Sequence, residues 1–161
     1  MHKRTKATGM RHTTLRHWAL GVLACLLSTA WVQAAELPRI QLQAGNGVLN
    51  VKVASDKAQR SLGLMNTPAL AESKGMLFVY PAPAYFCMWM KNTLIPLSVA
   101  FIDAQGLVIN IEDMAPQTET NHCTRRNATY ALEVNRGWFA KHGVTVGSQI
   151  IGLEQAPQAE Y

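Results

Sequence analysis

Short stretches of alternating apolar and polar residues, each cut off by glycine or proline, restrict this chain to a fold built mainly from strands. Ile40 and Leu42 alternate with Arg39, Gln41 and Gln43, and Gly45-Asn46-Gly47 then turns the chain. Leu49, Val51 and Val53 take up the same alternation, so the two stretches predict a hairpin with one wet face per strand. Further strands are expected at Gly75–Tyr80, closed by Pro81 and Pro83, at Ser98–Asp103, at Leu107–Ile111 and at Thr129–Val134, and Val146–Ile151 reads as a turn and a last strand. Helix signals are sparse. Ser55-Asp56 caps a short helix of about two turns that begins at Lys57 and ends at Leu64-Met65, limited by Gly63 and Asn66-Thr67-Pro68, and residues 137–142 read as one helical turn ended by Gly143. Many short strands with so little helix imply an all-β fold, a single-domain sandwich or barrel.

The beginning of the chain has a different composition. Lys3, Arg4, Lys6, Arg11 and Arg16 precede an apolar run from Trp18 to Ala30, and Val32-Gln33-Ala34 places small residues three and one before a cut. This is the pattern of a signal peptide over residues 1–34, cleaved after Ala34. The apolar run is too short for a spanning helix. An uncleaved anchor and lipid attachment at Cys25 are the two alternatives. Export implies a periplasmic or secreted protein with no stable membrane insertion after cleavage. It also removes the charge argument for nucleic acid. The whole chain has 15 Lys and Arg against 10 Asp and Glu. Five of those bases and none of the acids precede residue 35, which leaves ten of each. A formally neutral domain gives no reason to expect a nucleic-acid partner. Residues 35–155 suffice for one β-rich domain with one core, and 156–161 read as a disordered tail.

The densest signal is the stretch from Cys87 to Asp103. It reads as a buried central strand interrupted by Lys91-Asn92-Thr93 and turned by Pro96, a strand delivering polar groups to a cleft. Cys87 and Cys123 are the two cysteines left after cleavage, and an oxidising compartment favours a structural disulfide between them over two free thiols. Lys91, Asn92, Thr93, Arg60 and Glu133 are the polar residues embedded in the most apolar sequence and form the candidate ligand-binding set. Glu133 sits inside a strand, where a buried carboxylate needs a partner; Lys91 or Arg60 would supply it. A Lys91–Glu133 pair reads either as the lining of an open cleft or as a buried structural pair, and the sequence leaves both open.

Several of these segments together resemble a known family. Gly63-Leu64-Met65, Gly75-Met76-Leu77-Phe78, Trp89-Met90-Lys91-Asn92-Thr93, Pro96-Leu97, Phe101-Ile102-Asp103, Tyr130-Ala131-Leu132-Glu133 and Gly143-Val144-Thr145-Val146-Gly147 occur in that order. The chain is similar to the domain of unknown function 192 family, also called uncharacterised protein family 0127. The resemblance implies a compact jelly-roll-like β fold, often exported, with no assigned activity. Many relatives carry Asp where this chain has Ser98, so no carboxylate is available there.

Three functional readings follow. The first is an envelope protein binding a small ligand or a protein partner through Arg60, Lys91, Asn92, Thr93 and Glu133, with no cofactor. The second is a hydrolase-like or lyase-like enzyme using Glu133 and Lys91 as an acid/base pair. The third is copper(I) binding through the thioethers of Met88 and Met90, with Met65, Met76, Met114, Trp89 and His122 as further donors. Against the third stands the ordinary use of methionine to fill gaps in a core.

Overall fold

The structure, a computed structural model, describes residues 36–160. The expected signal peptide, its expected cleavage point and Cys25 lie outside the described residues. The chain opens with the expected hairpin, β1 (Arg39–Ala44) and β2 (Gly47–Ala54), whose inward residues alternate as the sequence pattern requires. Gly45 at the turn has φ +56, and a Cβ there would stand 2.1 Å from the carbonyl oxygen of His142. Only glycine lets the turn press against that carbonyl, which accepts from Asn46 N at 3.1 Å.

Helix α1 (Lys57–Leu62) starts where the cap signal placed it and stops short of Leu64-Met65, because Gly63 leaves the helical conformation with φ +49. The Asp56 carboxylate accepts from Gln59 N, and the Gln59 amide oxygen accepts from Asp56 N, a reciprocal capping box. The helix and the loop after it form a crossover, so β3 (Lys74–Ala84) lies parallel to β2. Pro81 and Pro83 were expected to end this strand. It continues through them to Ala84, with the register against its neighbour slipping between Val79 and Ala84, because a bulge accommodates residues without an N–H to donate.

The remaining strands are β4 (Cys87–Met88), β5 (Leu97–Ile102), β6 (Val108–Met114), β7 (His122–Cys123), β8 (Ala128–Asn135) and β9 (Ile150–Ile151), with helix α2 (Trp138–Lys141) between the last two. Seven strands make one sheet in the order β6-β5-β8-β3-β2-β1-β9, antiparallel except for β2 with β3. The sheet curls into a half-barrel. Leu107 bridges Gln149, so the two edges meet at one end, and Val108 N donates to Ser148 O at 3.0 Å. The fold is thus all-β and single-domain, one curled sheet with a small flap. Among the described residues no helix is long and apolar enough to cross a membrane.

The sheet is apolar on both faces. One core gathers Leu42, Val51, Leu77, Ile102, Leu132 and Val134 and is plugged by Trp138 and Phe139 of α2. The other lies over β3, β5 and β8 and includes Met76, Phe78, Val99, Phe101 and Ala131, roofed by Met88, Met90 and Leu64. Strand β5 is buried at all six positions, which is why Leu97–Ile102 reads as a continuous run and not an alternation.

The stretch from Cys87 to Asp103 is not one interrupted strand. It divides into β4, a loop over residues 89–96, and β5. β4 pairs only with β7, in a separate two-stranded sheet. Asn92 takes the left-handed conformation, φ +56, which asparagine tolerates better than most residues and which ends an extended run. The loop finds its backbone partners in another loop: Met90 N donates to Thr118 O at 2.9 Å and Gln117 N to Thr93 O at 3.0 Å. The 156–160 segment, expected to fray, runs without regular structure; Ala156 and Ala159 pack on the first core and Glu160 N donates to Ser55 O at 2.8 Å.

Candidate functional site

Strand β8 points alternate residues into the two cores. Leu132 and Val134 face the first and Ala131 the second, so Glu133 must project with Ala131 under the flap. Its neighbours in register are Met76 of β3 and Val99 of β5, both apolar and buried. Glu133 is 4 % exposed and makes no hydrogen bond or ion pair among the described residues. Burial without a partner penalises the charged form, and the carboxyl is pushed up from 4.5 to about 8. At neutral pH Glu133 is therefore mostly a neutral acid, able to donate a hydrogen bond as well as accept one.

Glu133 is not sealed in. It lines a chamber of about 20 Å³ together with Thr93, Phe78, Met65, Met88 and Trp89. Thr93 is 5 % exposed, and its hydroxyl also has no hydrogen-bond partner among the described residues. The only buried side-chain polar atom of the described residues that is both closed off and unpartnered is Thr129 Oγ1, so the oxygens of Glu133 and Thr93 owe their remaining access to the chamber. The volume is enough for one water molecule or one small functional group.

Outside the chamber lies a groove of about 370 Å³, which shares Arg60, Ser61, Met88 and Trp89 with it. Lys57, Arg60 and Ser61 of α1 form one wall, Cys87, Met88 and Trp89 the other, and Tyr80 lies between. Arg60 acts as a clamp. Its guanidinium donates to Ser55 O at 2.7 Å, Val79 O at 3.0 Å and Glu160 O at 3.2 Å, and lies 5.2 Å from the centre of the Tyr80 ring. All three acceptors are carbonyls, so no carboxylate among the described residues offsets this charge. Tyr80 donates to Met88 Sδ at 3.8 Å. Burial pushes its hydroxyl up to about 12, with Arg60 opposing the shift and Glu133 adding to it.

Of the five sequence-derived candidates, the fold brings Arg60, Thr93 and Glu133 to one chamber and leaves two outside it. Lys91 is half-exposed, 3.7 Å from Glu119 and 5.5 Å from the centre of the Trp89 ring. Asn92 is exposed at the turn, its amide donating to Met65 Sδ at 3.9 Å. The expected Lys91–Glu133 pair does not form, because the turn at Asn92 carries Lys91 to the outer side of the loop. Met90 is fully buried in the second core and does not line the chamber, whereas Met65 and Met88 do. Sequence reading passed over Lys57, Ser61 and Tyr80. They belong to α1 and β3, and nothing in their local pattern distinguishes a groove wall from an ordinary surface.

The Cys87–Cys123 disulfide forms as expected, with the two residues opposite each other on β4 and β7. It fastens the flap over the second core. Buried Asn110 secures the far side, donating to Cys123 O at 3.1 Å and accepting from Arg125 N at 3.1 Å. Ser98 lies away from the chamber. Its hydroxyl donates to Asp113 Oδ1 at 2.6 Å and accepts from Gly137 N at 2.9 Å, bracing the entry to α2, so the missing carboxylate at this position does not alter the lining. A larger hollow of about 500 Å³ lies between the 156–159 segment and Val79–Pro81, but its orphaned polar atom, Thr129 Oγ1, is sealed from it.

A family model described as DUF192, "Uncharacterized ACR", matches residues 40–152. Among curated proteins none matches. Similar solved structures include the following two. A "putative transcription regulator" from Sinorhizobium meliloti 1021 superposes with a TM-score of 0.72 at 31% identity, covering 74% of this chain and 98% of its own. A protein of unknown function from Novosphingobium aromaticivorans DSM 12444 gives a TM-score of 0.66 at 26% identity, covering 74% and 87%. Gly63–Met65, Phe78, Trp89, Thr93 and Glu133, which line the chamber, fall in segments that carry the family resemblance. With that model matched over more than half its length, this chain belongs to the DUF192 family.

Proposed function

We propose that this protein is exported to the cell envelope and binds a small ligand in the groove between α1 and β4, with the ligand's tip in the Glu133 chamber. The observation that carries this reading is the pair of buried, unpartnered polar groups, Glu133 and Thr93, facing one chamber. A polar group this little exposed costs free energy unless water or a ligand hydrogen-bonds it. Two in one place are readily explained if something hydrogen-bonds them both. The acid/base alternative needed Lys91 beside Glu133, and Lys91 lies with Glu119 instead.

Native mass spectrometry of protein purified from its own envelope tests both halves of the proposal. The polypeptide mass is expected to correspond to a chain beginning at Ala35, accompanied by a small molecule that survives gentle desolvation. Ser61→Trp, on the exposed side of α1 at the mouth of the groove, is expected to abolish the extra mass without unfolding the domain. A wild-type spectrum showing only bare polypeptide would count against a bound ligand. A mass starting at Met1, or one carrying a lipid, would count against cleavage after Ala34.

A further inference from the structure

We infer that the ligand is a small organic anion: its acid group lies at the mouth beside Lys57 and Arg60, a flat apolar body runs along Met88 and Trp89, and a hydroxyl-sized tip reaches Thr93 and Glu133. This rests on the reading of the groove as a ligand site and goes further by assigning the ligand's chemistry.

Charge is the first argument. The groove is lined by two cations, Lys57 and Arg60, and by no carboxylate. Lys57 has no ion-pair partner among the described residues, and Arg60 spends its hydrogen bonds on neutral carbonyls. The domain as a whole is formally balanced, so this local excess is a property of the groove. A cavity walled by apolar side chains and lined by one sign of charge concentrates ligands of the other sign.

The walls supply the second argument. Trp89 lines the groove and is 45 % exposed although it follows a buried methionine, with the Lys91 ammonium 5.5 Å from its ring centre and no second ring stacked on it among the described residues. Tyr80 offers little stacking area, since Arg60 lies over its ring at 5.2 Å and Phe86 stacks on it at 3.7 Å. The apolar body therefore has the indole and the Met88 thioether to lie against, a combination suited to a flat ring.

Size is the third. The groove, at about 370 Å³, falls in the range of small-molecule sites, whereas the chamber beyond it, at about 20 Å³, admits only the last polar atom or two of a ligand. A neutral acid and a hydroxyl can each donate and accept, so together they satisfy a hydroxyl tip without requiring it to be charged.

Three probes with the same aryl body and hydroxyl tip, differing only in the charge of the other end, test the inference. They are 4-hydroxyphenylacetate (anionic), tyramine (cationic) and 2-(4-hydroxyphenyl)ethanol (neutral), each titrated at pH 7 into the 15N-labelled protein. The readout is the shift of the Lys57, Ser61 and Met88 amides and the Trp89 indole N–H. Saturable shifts are expected with the anion, at about tenfold lower concentration than with tyramine. Lys57→Glu, an exposed change in the first turn of α1, should remove or reverse that preference while leaving the rest of the spectrum in place. Equal or tighter binding of tyramine or of the neutral alcohol at these residues would overturn the anion assignment and leave the ligand site standing. No shift at the groove with any of the three would overturn both.

Discussion

At pH 9 the Glu133→Gln variant is expected to be more stable than the parent protein, by up to about 5 kcal/mol. The sign follows from the direction of the shift. Glu133 titrates near 8 in the folded protein against 4.5 as an ordinary glutamate. Below pH 4.5 the carboxyl is protonated in both states and adds no pH dependence. Between 4.5 and about 8 the unfolded chain ionises first, so unfolding releases a proton and stability falls by about 1.4 kcal/mol for each pH unit. Above 8 both states are ionised and the loss is complete. Glutamine keeps the size and the hydrogen-bonding capacity without the charge, so its denaturation midpoint should stay flat through this window. The figure is an upper limit because water in the chamber relieves part of the cost. Glu36 and Glu72, held below the usual value first by hydrogen bonds from Arg39 and Lys141, titrate under this window and leave it clear. Urea melts from pH 4 to pH 9 decide the matter: parallel profiles for parent and variant would show that Glu133 is not at once buried and unpartnered. Lys91→Met is the control. Its half-exposed pair with Glu119 should contribute less than about 1 kcal/mol at any pH in that range.

Cys87→Ser or Cys123→Ser is expected to cost about 3–4 kcal/mol, the double variant little more than either alone. The bond closes a sequence separation of 36 residues, and the chain-entropy relation gives a value of that size. The loss reaches beyond the cysteines. β4 and β7 are two residues each and pair only with one another, too little to hold a flap by themselves. Their release exposes Met88 and the roof of the second core, and lets water reach Glu133. Reduction should therefore lower the Glu133 titration towards an ordinary carboxyl value and weaken the pH dependence described above. Urea melts of oxidised and reduced protein at pH 5 and pH 8 measure both effects. Additive losses in the single and double variants, or a pH profile unchanged by reduction, would show that the disulfide does not hold the flap closed.

Much of the fold was legible in the sequence because its determinants are local. The β1–β2 hairpin follows from a two-residue period and a glycine turn, and α1 follows from Asp56 and Gln59 three positions apart. The disulfide was legible for a different reason: only two cysteines lie beyond residue 34, so a bridge within that stretch had one possible pairing. The loop over 89–96 was misread as strand because its apolar residues resemble those of β5 next to it. What makes it a loop is the positive φ at Asn92 and the backbone bonds to Thr93 and Met90 from residues 117 and 118, distant in sequence.

The sequence by itself determined the β class, the short capped helix and the presence of a carboxyl inside an apolar strand. Each depends on residue type and spacing along one segment, and those quantities are written in the chain. Which groups meet Glu133 was decided only by tertiary structure. Sheet order places Met76 and Val99 on either side of it, the crossover through α1 brings Arg60 and Ser61 to its mouth, and the turn at Asn92 turns Thr93 inward and Lys91 out. The burial that keeps its proton on is likewise a property of the assembled flap, since desolvation is the sum of what every neighbouring segment excludes and no single segment carries it.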